Sequence, residues 1–505
     1  MMQPTSEQSN CVDAFSTGKR LRINAYAGTG KTATLQLLAK STNRLGSYMA
    51  FNKSIADEAR RKFPRTVECS TTHSLAYKAL INKFGSEKMT GRVNGGFLSW
   101  KMQLRPTHIG PVTLTARGHG FLVAQTLKNW QHSGRSEINW RDVPRDGKLL
   151  EVPASIWGNA AIDIVSKAKE AWVRAQTIGD AIPLGFDGFL KLWALGRPQL
   201  QGDYILLDEA QDTNGVVLEL VRHQQAQVIC VGDRHQEIYA WRGSINAMVE
   251  LPTDIEARLS TSFRFGPAIA DYATTVLGLL GETLPLKGNP ARESVVGSIE
   301  QPRTILYRTN GRLIEDLIAH VQDGKKPFVV GGTDEIMSFV KGAEQLMAGQ
   351  ATESPFELFG FNDWTEVQAA THTDGGEELR RWVTLIDKHG TAGLRKAIEG
   401  LPRQEAEAAI VLSTGHKSKG REWDSVRLQD DFLLGVKASG DDGDQPDPRT
   451  GELPLKKMRK VPLEELRLLY VAATRGQSKL EVSPMIAQKL DRVREIIAEN
   501  KREAA

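Results

Sequence analysis

The chain has 505 residues, 40% hydrophobic and 25% charged, with 65 basic against 61 acidic side chains for a net charge of +4. That length is too great for one hydrophobic core and calls for several domains of ordinary soluble composition. The small positive charge weakly favours an anionic partner, but a local cleft could hold one without a basic average. No apolar run is long enough to cross a bilayer, and the N-terminus MMQPTSEQSN lacks the charged-then-apolar pattern of a signal peptide. Cys11, Cys69 and Cys230 are isolated, with no CxxC pair, so neither a zinc site nor a disulfide framework is expected and a cytoplasmic location fits.

In chain order, Leu21–Ala25 reads as a buried parallel strand, followed by the helical patterns ATLQLLAKST and IADEARRKF. A stretch rich in Trp, Gly and Arg around 90–200 breaks that rhythm. Strands return at Tyr204–Leu207, Val228–Val231, Thr304–Tyr307 and Phe328–Val330, with the helix GRLIEDLIAHV between the last two. Residues around 346–405 read as mostly helical, and Ala409–Leu412 as one more strand. A loop follows at 438–454 (ASGDDGDQPDPRTGELP), then the helix EELRLLYVAAT. Strands alternating with helices predict α/β layers with sites at the carboxyl ends of the strands, and the two irregular stretches read as insertions into those layers.

The segment LRINAYAGTGKTATLQLL sets Ala27, Gly28, Thr29, Gly30, Lys31 and Thr32 after a strand and at the start of a helix. Glycines let the backbone turn so that its N–H groups and the helix N-terminus cradle phosphates. Lys31 would reach the β- and γ-phosphates of ATP, and Thr32 would hold Mg²⁺. Ala25 stands where the strict pattern has its first glycine. A second strand, YILLDEAQD, delivers Asp208 to complete the Mg²⁺ shell and Glu209 to orient or deprotonate water. A strand ending in an acidic helix cap is common, but it does not explain two carboxylates after four apolar residues in a chain that already carries a phosphate loop.

With these in place, the sequence resembles the UvrD/Rep branch of superfamily 1 DNA helicases. DEAQD is followed by VGDRHQEIYAWRGS (231–244), LSTSFRF (259–265), STGHKSKGREWDSV (413–426) and EELRLLYVAATRG (464–476), in the family's order. Arg421 stands where that family usually has Leu. AFNKSIADEARRKFP (50–64) and VECSTTHSLAYKAL (67–80) are similar to the F-box DNA helicase subgroup and its bacterial and phage relatives, which suggests a bacterial or phage origin. No F-box candidate precedes residue 8, so only the motor is expected to be shared.

The resemblance implies roles. Arg264 and Arg475 are the arginine fingers, Gln236 the γ-phosphate sensor, Gln8 the adenine reader, Phe263 (commonly Tyr) a ring on the adenine, and Glu422 the ribose acceptor. The DNA set is Phe51, Asn52, His73, Tyr239, Trp241, Arg242, Thr414 and His416. The usual stacking Phe is absent from its position in Ala50-Phe51-Asn52-Lys53, which leaves Phe51 as its candidate replacement. An arbitrary surface arginine ordinarily makes a solvated salt bridge worth under ~1 kcal/mol, and an arbitrary tryptophan packs in a core; the motif context argues otherwise here. For Lys417 and Lys419, phosphate contact and plain solvation both stay open.

The architecture implied is two RecA-like motor domains with two mainly helical insertions. Residues 1–88 and 200–270 form the first motor domain, interrupted by 89–199. Residues 271–345 and 406–500 form the second, interrupted by a small 346–405. The activity implied is ATP-dependent 3′→5′ movement on single-stranded DNA and unwinding at single-strand/duplex junctions, in repair, recombination or replication. A translocase that strips proteins such as recombinases from the strand shares every motif, and an ATP-switched binding module would need fewer of them. Too little chain follows the last motif for a nuclease domain.

Overall fold

The computed structural model describes residues 3–50, 52–145, 147–239, 245–371, 377–436 and 461–503. The loop expected at 438–454, and with it Phe51, Trp241 and Arg242, lies outside these residues.

The fold is α/β and contains two six-stranded, wholly parallel sheets. The first is built from β1 (Leu21–Ala25), β2 (Gly46–Ala50) and β3 (Val67–Thr71). A hairpin of β4 (Thr107–Ile109) and β5 (Val112–Leu114) intervenes outside the sheet, which is completed by β6 (Tyr204–Leu207), β7 (Gln227–Gly232) and β8 (Ile255–Leu259), in the order β3-β2-β6-β7-β1-β8. The second contains β9 (Val295–Val296), β10 (Thr304–Tyr307), β11 (Phe328–Val329), β12 (Val411–Thr414), β13 (Trp423–Leu428) and β14 (Gly476–Val482), in the order β11-β12-β10-β13-β14-β9.

Parallel sheets need both faces covered, which explains the uninterrupted burial of β2, β6, β7, β10 and β12. On the first sheet Ile23, Leu35 and Tyr48 pack one face, while Ile205, Leu207 and Leu218 pack the other. The strand read at Ala409–Leu412 lies further along, at Val411–Thr414, because Val411 pairs with Thr304 and Thr414 with Tyr307, the two ends of β10. The edge strand β8 buries alternate residues only weakly, so its IEARL carries little apolar signal.

The helix Thr72–Thr90 carries the chain out of the first sheet, and Gly185–Leu195 packs back against it. Between them, Ala116–His132 and Ala154–Gln176 build a separate core around Leu122, Trp130, Ile164 and Phe189. The described residues of the helical stretch around 346–405 share a core with the second sheet. The helices Trp364–Ala370 and Glu377–Ile398, with Asp334–Met347, join Ile305 and Leu412 of the second sheet in one cluster, where Phe339 stacks on Trp382 at 4.2 Å. Among the described residues no helix is long and apolar enough to cross a membrane.

Candidate nucleotide site and inter-sheet cleft

The loop after β1 turns through two left-handed glycines, Gly28 (φ 74°) and Gly30 (φ 80°), and Gly30 caps the helix Lys31–Lys40. At Gly28 both freedom and space are needed, since a Cβ there would lie 2.4 Å from Ser262 Oγ and 2.7 Å from Arg264 Cβ. The Phe263 N–H donates to the Gly28 carbonyl at 2.8 Å. A Cβ on Gly30 would face the Phe263 ring at 3.5 Å and Gln8 Nε2 at 3.7 Å. The sequence-derived adenine pair thus flanks the loop. The Gln8 amide is already engaged, however: its Oε1 accepts from Thr5 N–H in a capping box and its Nε2 donates to Thr34 Oγ1. One lone pair and one N–H remain for a base edge. Thr29 is buried and donates to the Tyr26 carbonyl, which stiffens the loop.

Asp208 and Glu209 emerge from the carboxyl end of β6. Asp208 Oδ2 accepts from the Thr32 hydroxyl at 3.0 Å and from Tyr48 at 2.8 Å. Burial and the adjacent Glu209 push the Asp208 carboxyl above its ordinary range, against opposing contributions from Tyr48, Lys31 and Thr32. Glu209 has φ 50°, a left-handed conformation costly for a residue with a side chain. Burial raises its carboxyl, but Lys31, Lys419 and Gln211 hold it down at about 2. Lys31 Nζ lies 3.5 Å from Glu209 Oε1.

The opposite wall comes from the second sheet. Arg264 donates to Glu422 at 2.6 Å and to the Thr474 carbonyl at 3.1 Å, and Glu422 also accepts from Gln477. Arg475, next along the chain, is 1% exposed. It donates to the carbonyls of Val471 and Arg421 and to the Thr474 hydroxyl, and among the described residues no carboxylate pairs with it. Burial, then the neighbouring Arg264 charge, push its guanidinium down to about 9. Two cations beside a glycine loop, one of them buried without a counter-ion, form a site that an anion would stabilise.

Lys419 does not fit plain solvation, one of the two readings left open for it. It is neither solvated nor facing outward: its ammonium is buried against Asp212 (2.6 Å), donates to the Gln236 carbonyl and lies 5.3 Å from the Tyr239 ring centre. Lys417 pairs with Glu335 at 2.9 Å.

The positions assigned to DNA are more dispersed. Tyr239 is partly buried between the sheets and donates to the His416 carbonyl at 2.9 Å. The Thr414 hydroxyl is buried and accepts from Lys417 N–H. Asn52 is exposed and caps the helix Lys53–Lys62 through Ile55 N–H. His73 sits at the start of its helix, 3.7 Å from Asp187 and beside the exposed Phe186 ring, a neighbour that sequence reasoning passed over. Tyr48 was also missed, since a lone tyrosine in a buried strand carries no signal. Gln211, Asp212, Asp233 and Tyr470 stand inside recognised motifs, but their contacts are visible only in three dimensions. A cavity of about 810 Å³ lies away from this chemistry, between the end of β5 at Thr113–Thr115 and the helix Asp334–Met347.

Residues 191–254, which carry Asp208, Glu209 and Gln236, match the profile of the UvrD/REP helicase N-terminal domain. Over 96% of its length the chain is 31% identical to "F-box DNA helicase 1" of Gallus gallus and 28% identical to "F-box DNA helicase protein 1" of Schizosaccharomyces pombe. The chain is thus similar to F-box DNA helicases over nearly its whole length and to the UvrD/Rep helicase family over residues 191–254. It spans 49% and 58% of those two relatives. A bacterial family member, "ATP-dependent DNA helicase PcrA" of Leuconostoc citreum, matches only 18% of the chain, at 32% identity. The two F-box relatives, which match nearly the whole chain, are eukaryotic, in contrast to the bacterial or phage origin suggested by the motifs. The two parallel sheets with a phosphate loop at their junction are the RecA-like layers of this UvrD/Rep architecture.

Proposed function

We propose that the chain is an ATP-driven DNA helicase that moves 3′→5′ on single-stranded DNA and opens duplexes at single-strand junctions, in repair, recombination or replication. The observation that carries this reading is Arg475, buried without a carboxylate beside Arg264, where the second sheet meets the phosphate loop. Phosphoryl transfer spreads negative charge over the departing oxygens, and cations positioned there stabilise it most. Lys31 and the loop amides hold the ATP phosphates, while Glu209 orients the attacking water. Arg264, beside the loop, and Arg475, on the second-sheet wall, meet the developing charge from the two sides of the cleft.

Thr32 and Asp208 fit a divalent cation, with two oxygens 3.0 Å apart and a carboxyl that its neighbours leave short of positive charge. Mg²⁺ bound there would neutralise charge on the β- and γ-phosphates. In this reading His73, Tyr239, Thr414 and His416 contact DNA, with Phe51, Asn52, Trp241 and Arg242 completing the track. Stacking and backbone contacts of this kind tolerate any sequence. The domain boundaries proposed above follow the same family logic.

The test is ATP turnover with and without single-stranded DNA, for the wild type and Lys31→Ala, beside unwinding of duplexes with a 3′ or a 5′ tail. Turnover that rises with DNA, vanishes in the variant and opens only the 3′-tailed duplex supports the reading. Strong stimulation without unwinding identifies a strand-tracking translocase that displaces bound proteins. Absence of stimulation by any nucleic acid overturns both.

A further inference from the structure

The Tyr470 hydroxyl lies at the meeting point of the two halves. Its ring belongs to the helix Leu463–Ala473 of the second half and is wholly buried. The hydroxyl accepts from the Ala27 N–H of the phosphate loop at 3.0 Å and donates to Asp233 Oδ2 at 2.8 Å. The same carboxylate oxygen accepts from Gln236 Nε2 at 2.8 Å, while Oδ1 accepts from His235 N–H. The Asp233 N–H donates to Gln211 Oε1 at 3.1 Å, and Gln211 Nε2 donates to Glu209. Gly232 leaves the room this needs, because a Cβ there would meet Gln211 Oε1 at 2.5 Å.

Every other member of this chain of hydrogen bonds comes from the first half. We propose that Tyr470 is a positioning residue that reports closure of the second half to the two groups serving hydrolysis, Gln236 through Asp233 and Glu209 through Gln211. The proposal rests on the ATPase reading above, though not on the choice of DNA as track. With the halves closed, the tyrosine hydroxyl fixes the Asp233 carboxylate, and Asp233 in turn holds both amides in one orientation. When the halves part, Asp233 loses that donor and Ala27 its acceptor; the Gln236 amide, bonded to the same carboxylate oxygen, loses its fixed partner directly, and Gln211 feels the change through the Asp233 backbone N–H. While the halves are closed the network is buried, and hydrogen bonds shielded from water orient their partners more strongly than solvated ones. Burial beside Asp233 also keeps the phenol far above its ordinary pKa, so it remains a donor at any working pH.

The test is Tyr470→Phe, which keeps the ring and removes only the hydroxyl. ATP turnover is measured without nucleic acid as well as with it, so failure of DNA stimulation in the wild type is seen separately. The expected result is a fall in kcat of roughly 10–100-fold, the scale for misplaced catalytic groups. The KM for ATP should stay within about twofold of wild type, since phosphate binding does not use the hydroxyl. In a cycle with Gln236→Ala, the double variant should be no slower than the slower single variant. Hydrogen exchange gives a readout independent of turnover: residues 25–30 and 233–238 should both exchange faster in Tyr470→Phe. Turnover within about twofold of wild type, additive losses in the cycle, or unchanged exchange in either segment would overturn the relay.

Discussion

Arg475→Met should make the protein more stable and much less active at once. The side chain is 1% exposed, and its guanidinium is pushed down to about 9. Against an ordinary arginine value of roughly 12.5, at about 1.36 kcal/mol per pH unit, holding the charge there costs on the order of 5 kcal/mol. The sign follows from linkage. A cation whose folded pKa is depressed destabilises the fold at every pH below that value, so the full cost applies at neutral pH and is relieved only above about 9. Methionine of similar length removes the charge but also the hydrogen bonds to the carbonyls of Val471 and Arg421 and to the Thr474 hydroxyl, which is free to turn to another partner. Their loss returns roughly 2–3 kcal/mol, given about 1.5–3 kcal/mol for a charge-assisted bond and the partial repair available to a helix-end carbonyl. The net expectation is a gain of about 2–3 kcal/mol for the nucleotide-free protein in urea unfolding, inside the range seen when buried charges are replaced by apolar groups. ATP turnover should fall by ~10³-fold or more, the scale for losing an arginine finger. Destabilisation of comparable size, or turnover within about tenfold of wild type, would refute the argument that Arg475 waits for phosphate charge.

Lys419→Met should destabilise by about 3–5 kcal/mol, because it leaves Asp212 buried without its partner. Adding Asp212→Asn should recover most of that loss in thermal melts, and no recovery would mean that Lys419 contributes through packing. Asp208→Asn should abolish the additional thermal stabilisation that Mg²⁺ gives in the presence of ATP, while the stabilisation by ATP in EDTA persists; an unchanged Mg²⁺ increment would remove Asp208 from the cation shell. Phe359→Ala should cost about 3–5 kcal/mol, since this residue of the second half is 3% exposed in the core of the first insertion, with its ring 4.9 Å from Phe121. Hydrogen exchange should then rise in residues 112–123 and leave the phosphate loop unchanged, and a uniform rise would argue for global loosening instead.

What the sequence makes legible follows physical necessity. A phosphate loop must have its glycines, and two adjacent carboxylates at the end of a buried strand are costly unless cations gather there. For that reason β1, β6 and the residues Lys31, Thr32, Asp208 and Glu209 can be read directly. Strands whose burial is partial, such as β8, or mixed with polar residues, such as β3 with its VECST, carry no such pattern. Tyr48 was invisible because its hydroxyl partner Asp208 is distant in sequence and no local periodicity marks the pair. The partner of Lys419 was not legible for a related reason. Solvation and burial give a lysine the same letter, and only the acid waiting across the cleft decides between them.

That distinction extends to the interface as a whole. Lys419–Asp212 and Arg467–Glu237 join the halves with matched charge, whereas Arg475 brings a charge that makes no ion pair across the cleft among the described residues and feels Glu209 only at longer range. A cleft in which every cation were paired would have no reason to respond to nucleotide, and one with no pairs would have no closed state for nucleotide to favour. A ligand shifts an equilibrium only through its differential affinity for the two states. Under the proposed reading, the unmatched guanidinium supplies that difference. The phosphates of ATP stabilise it only when the halves are closed, hydrolysis and phosphate loss withdraw the stabilisation, and the paired residues set how far the balance must move before the cleft reopens.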